Sequence, residues 1–111
     1  MNTNLKPYVA NLTLAIADTQ YGLIANGAWH NGYALTTLAG IHGISFQART
    51  AADVRFAFVT GDVAVPAVPW LTLKAGTTFN SPAKMTLKEF LDVFFATDTA
   101  GTIIEALLWS A

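Results

Sequence analysis

The chain has 111 residues, enough for one domain of the usual ~100–150 residues built around a single core. It is 53% hydrophobic and only 12% charged, against roughly 25% charged in ordinary soluble domains, which excludes intrinsic disorder and leaves the surface short of charge. A net charge of −1 from six cations and seven acids, with no cysteine, argues against a nucleic-acid partner and excludes disulfides, iron–sulfur clusters and thiolate metal sites.

The mean hydropathy is +0.43, yet no apolar run approaches the ~18 residues of a membrane helix. The longest, Val63 to Leu71, is broken by Pro66 and Pro69. At the N-terminal end, Lys6 followed by a mostly apolar stretch to Ala15-Ile16-Ala17 has the outline of a secretory signal. Pro7, Asn11 and Thr13 interrupt it, and alternation explains the stretch better. Tyr8, Ala10, Leu12, Leu14 and Ile16 fall on one face, so residues 8–16 are read as a strand.

Strands are also expected at 20–25 and, more weakly, at 33–38. Ile44, Phe46 and Ala48 alternate with Ser45, Gln47 and Arg49, and Val54, Phe56 and Phe58 alternate with Arg55, Ala57 and Val59; both segments read as half-buried strands. Further strands are expected at 69–74 and 77–80. In the next segment Thr86-Leu87-Lys88-Glu89 has the form of a helix capping box, whereas Leu91, Val93 and Phe95 alternate. We read a turn of helix or loop near 86–90 and a strand over 91–97. A last strand covers 102–109. Turn-forming groups such as Asn26-Gly27, Thr60-Gly61-Asp62 and Ala75-Gly76 stand about a strand's length apart. Seven to nine short antiparallel strands over residues 1–111 predict an all-β domain, a β-sandwich or a small jelly-roll barrel.

Few residues are suited to chemistry. His30 and His42 adjoin glycine-rich turns, with no acid between Asp18 and Asp53 to orient them, and are read as loop and strand-edge histidines. Asp53, Asp62 and Asp98 fall in turns, where a short acceptor caps backbone N–H groups, and no grouped ligand set for calcium exists. No catalytic residue, metal site or cofactor is expected. Glu105 shares a face with Ile103, Leu107 and Trp109. A buried carboxylate there would need a cation, so an ion pair with mid-strand Arg55 is expected, the alternative being that Glu105 faces water or another subunit. Trp29, Tyr33 and Trp70 are candidate aromatics for a subunit interface or for stacking on a sugar ring.

Asp53-Val54-Arg55-Phe56-Ala57-Phe58-Val59-Thr60-Gly61, the stretch Pro69-Trp70-Leu71-Thr72-Leu73-Lys74-Ala75-Gly76, and Thr99-Ala100-Gly101-Thr102-Ile103-Ile104-Glu105 through Trp109 form a pattern over residues 53–109. It resembles small β-sandwich structural proteins of tailed bacteriophages, of the capsid decoration (cement) kind. The resemblance implies a non-enzymatic virion protein that self-associates, with a trimer favoured, and binds the major capsid or another virion protein. The low charge points the same way, because a domain so poor in charge exposes apolar patches that other subunits cover. The alternatives are a receptor- or glycan-binding β-sandwich module and, further off, a small hydrolase or isomerase using His30 or His42.

Overall fold

The computed structural model describes residues 6–30, 41–64, 69–81 and 92–110. Nine strands lie among them: β1 (Lys6–Leu14), β2 (Tyr21–Gly22), β3 (Ala28–Trp29), β4 (Ile41–Ala48), β5 (Val54–Ala57), β6 (Leu71–Leu73), β7 (Thr78–Asn80), β8 (Phe94–Ala96) and β9 (Thr102–Ser110). One helical turn, α1 (Leu23–Asn26), and a 3-10 turn at Asp62–Ala64 complete the described elements. The strands form two open sheets, β3-β1-β9-β4-β7 and β2-β8-β5-β6. Every pairing is antiparallel. The all-β expectation therefore resolves as a sandwich, not a closed barrel.

Period-two alternation decides the layers. Ala10, Leu12 and Leu14 of β1, Ile44 and Phe46 of β4, and Ile104, Ala106 and Leu108 of β9 are buried together with Val54, Phe56, Leu73 and Phe95 of the other sheet. Phe46 joins the two layers. Its ring meets Phe56 and Phe95 edge-on, each at 5.0 Å, and stacks on Phe79 of β7 at 4.9 Å. These are favourable geometries for aromatic pairs, worth about 0.5–1.5 kcal/mol each beyond area burial.

The boundaries differ from the sequence expectation in two instructive places. The first strand stops at Leu14 instead of running to 16, and Asp18 then adopts a left-handed backbone at φ 54°, a conformation aspartate tolerates better than most residues. Its N–H donates to the Thr97 carbonyl at 2.7 Å. The strand expected at 20–25 lasts only for Tyr21 and Gly22 before the chain turns into α1. Into the final strand the chain turns at Gly101, whose φ of 87° favours glycine and whose N–H donates to the Leu14 carbonyl. The strand expected at 33–38 and the turn near 86–90 lie outside the described residues.

If Phe46 is the link between layers, Phe46→Ala should cost about 3–5 kcal/mol of unfolding free energy, the usual range for a buried Phe truncation. Phe79→Ala, at a half-buried edge position, should cost clearly less. Urea unfolding of both variants checks this, and equal costs would contradict the central place given to Phe46.

Candidate functional site

Because Phe46, Ile104 and Ala106 point inward, Ser45, Gln47, Glu105 and Leu107 must point to the outer face of the five-stranded sheet. The antiparallel register sets them in rows. Asn11 of β1, Glu105 of β9, Gln47 of β4 and Thr78 of β7 follow one another across four strands, and Val9 with Leu107 forms the adjacent row. A hydrogen-bonded ladder runs along the first row. Thr78 Oγ1 donates to Gln47 Oε1 at 2.9 Å, and Gln47 Nε2 donates to Glu105 Oε1 at 3.0 Å. Arg49 Nε donates to Glu105 Oε2 at 2.8 Å. These partners, Gln47 first and Arg49 second, hold the Glu105 carboxyl below the usual glutamate pKa. The row borders an open groove of about 470 Å³.

Glu105 is therefore on the face the alternation assigns it, but the expected pair with Arg55 does not form. Arg55 belongs to β5 of the other sheet, and its Nη2 donates to Asp18 Oδ1 at 2.8 Å. Glu105 pairs with Arg49 at the end of the neighbouring strand. The physical reason is that alternation fixes a side chain's face while saying nothing of which sheet the strand joins. The outer position also removes the desolvation penalty that motivated the pairing.

The outer face of the four-stranded sheet is organised differently. Ala57 and Ala96, with Val63 of the 3-10 turn, form a second small buried cluster against which Trp70 and Phe94 pack. The Arg55 guanidinium lies 5.5 Å from the Trp70 ring centroid, within cation–π range. Beside this cluster opens a cleft of about 300 Å³ whose lining includes Phe58, Val59, Pro69, Trp70 and Leu71, with Asp62 its one charged residue. Val59 and Leu71 are 52% and 54% exposed.

Of the candidate aromatics, Trp70 thus lines an apolar cleft, whereas Trp29 packs against the main core with its ring edge-on to Tyr8. Trp29 is an edge-strand residue paired with Ala10. Tyr33 lies outside the described residues. His30 and His42 are exposed, and neither lines the sheet groove or the apolar cleft. Asp53 does cap a turn, though a remote one, accepting from Ala75 N–H at 2.8 Å and from Lys74 Nζ at 3.0 Å. Asp98 accepts only from the hydroxyl of Thr99 beside it among the described residues.

Asp92 is the residue that sequence reasoning missed. It is buried, and its carboxylate accepts the N–H groups of Ile24 at 2.7 Å, Ala25 at 3.2 Å and Val93 at 2.8 Å. It thereby satisfies donors at the start of α1 that the helix itself cannot. Burial pushes its pKa above the ordinary aspartate value, against the opposing pull of these N–H groups. Gly22 makes room for it, since a Cβ there would overlap Asp92 Oδ2.

Two expectations follow from these contacts. Asp53 and Glu105 have lowered pKa values, so the stability they lend is present above 3.8 and 4.5 and is lost as pH falls through their folded values. Asp92 has a raised pKa, so its contribution is fullest below 3.8 and declines as pH rises through its folded value. Asp92→Asn should therefore lower stability overall while making the loss on acidification steeper. Urea midpoints across the acid range check the slope, and an unchanged slope would contradict the raised pKa. In a double-mutant cycle, Arg55→Ala and Glu105→Ala should be additive within about 0.5 kcal/mol, as independent sites are, whereas Arg49→Ala and Glu105→Ala should couple.

Comparison of the chain with protein-family models, with curated proteins and with solved structures finds no match. Its functional reading rests on its own residues.

Proposed function

We propose that the chain is a non-enzymatic structural subunit that self-associates and decorates a virion surface, in the manner of the phage cement proteins that residues 53–109 resemble. The observation that carries the reading is the apolar cleft beside β6, where Val59 and Leu71 stand more than half exposed next to Trp70 and Pro69. Water is a poor cover for such a surface, and apolar protein is a good one. A second copy of the chain is the occupant we propose for it, in a closed homo-oligomer, with a trimer favoured by the resemblance and the major capsid protein as the further partner. Closure would cover the cleft of every subunit and avoid open filaments.

The disposition of the acids supports a structural role over a catalytic one. Asp18, Asp53 and Glu105 are each bound to a single cation, and Asp92 is bound to backbone N–H groups. General acid–base chemistry works through groups placed opposite one another with separated pKa values, and these four carboxylates are instead each engaged by a cation or by backbone N–H groups.

Sedimentation velocity or light scattering at micromolar concentration tests the proposal. The expected result is a closed oligomer burying more than about 2,000 Å² in total at its interface, converted to monomer by Leu71→Asp or Val59→Asp. A monodisperse monomer would overturn the reading, as would an oligomer indifferent to both substitutions.

A further inference from the structure

We infer that the outer face of the five-stranded sheet is a binding groove for a short neutral oligosaccharide, seated across Asn11, Glu105 and Gln47 and extending along β9 over Leu107 toward Trp109. The inference concerns a different face from the apolar cleft and does not depend on self-association.

Charge restricts the ligand first. The groove's charged lining residues are Arg49 and Glu105, and they are bonded to each other. Among the described lining residues these charges cancel, so the lining favours neither an anion nor a cation. Hydrogen-bonding chemistry restricts it further. Gln47 is fixed at both ends of its amide and Arg49 is fixed through Nε, leaving both terminal Nη groups of Arg49 without a hydrogen bond among the described residues. The Asn11 amide, exposed and next to Glu105 in register, offers a donor and an acceptor that no described residue uses. A sugar hydroxyl is both donor and acceptor, and this row presents planar groups of both kinds, of which those of Gln47, Arg49 and Glu105 are already held in place, which lowers the ordering cost of binding.

Geometry matches an extended ligand. Neighbouring strands are ~4.8 Å apart, and successive same-face residues along a strand are about 6.8 Å apart. The distances suit successive rings of a chain. Val9 and Leu107 provide an apolar floor beside the polar row, and Trp109, 39% exposed, adds an aromatic surface one step farther along β9. Apolar surface combined with a few fixed polar groups is the usual make-up of a small-ligand site, and about 470 Å³ is within the usual size range.

Titration of the 15N-labelled chain with cellotriose, maltotriose and tri-N-acetylchitotriose, with 3′-sialyllactose as a charged comparator, tests the inference by NMR. At least one neutral trisaccharide should bind and shift the amides of Asn11, Gln47, Glu105 and Leu107. Asn11→Ala should weaken that binding about fivefold to tenfold, as expected for the loss of one or two hydrogen bonds, with an unchanged thermal midpoint because the exposed Asn11 side chain makes no hydrogen bond to a described residue. Leu71→Asp should leave it intact. The inference is overturned if no neutral probe shifts these amides, if the charged comparator binds more tightly, or if Asn11→Ala and Gln47→Ala both retain full affinity.

Discussion

The contact of Phe46 with Phe56 and Phe95 is the constraint from which the two surfaces follow. Once those rings meet between the sheets, the parity of three strands is set, because a strand's side chains alternate and one residue of slippage would exchange its faces. Phe79 sets a fourth by stacking on the same ring. Ser45 and Gln47 then face outward beside Phe46, Thr78 and Asn80 beside Phe79, Arg55 and Ala57 beside Phe56, and Phe94 and Ala96 beside Phe95. The outer faces are thus the complement of the core, and their different chemistry reflects what the sequence places at the off-beat positions.

Those off-beat positions differ between the sheets. On the five-stranded sheet they carry Asn11, Ser45, Gln47, Thr78 and Glu105, of which Thr78, Gln47 and Glu105 bond to one another, beside the apolar Val9, Leu107 and Trp109. On the four-stranded sheet Ala57, Phe94 and Ala96 would be left bare, and the chain covers them with its own Val63 and Trp70. At the rim Val59 stands more than half exposed, as does Leu71, which pairs with Phe56 and so has the inward parity at the edge strand β6. The charge among the described residues that line that rim is that of Asp62. The three ion pairs involve Arg49, Arg55 and Lys74, and surface pairs of this kind contribute little stability, the median being ~0–1 kcal/mol. Their effect is to fix direction: Arg49 orients Glu105, and Asp18 holds Arg55 over Trp70.

Alternation made β1, β4, β5 and β9 legible in the sequence, with their inward faces, because each has a long or strongly patterned run. For Glu105 alternation made legible the residues that share its face, Ile103, Leu107 and Trp109, while its outward exposure was only the alternative to a buried pair with Arg55. Its partner was not legible, because strand order is a property of pairing, and the neighbourhood β9-β4 that brings Gln47 and Arg49 to Glu105 leaves no local mark. The turn at Leu23–Asn26 was hidden in a similar way. Tyr21 to Ile24 has strand composition, but the carboxylate that favours a helical turn there comes from Asp92, 68 residues from Ile24. Gly22 was the one local sign, a residue without a side chain next to a buried acid.

The edges of the sheets bear on how such a domain meets a partner. Among the described residues the outermost strands are β3 and β2 with two residues each and β6 and β7 with three, while the interior strands β1, β9 and β4 run to nine, nine and eight. A long open edge would offer its unpaired N–H and C=O groups to any passing strand, and very short edge strands are a recognised defence against that. In the association proposed above, contacts through side chains would be stereochemically more selective than a bare backbone ladder. Apolar side chains suited to it include Leu71 and Val59, which line the cleft beside β6 together with Trp70. The closed oligomer proposed above would draw on both features, since short edges disfavour indefinite strand stacking and an apolar rim offers a specific contact.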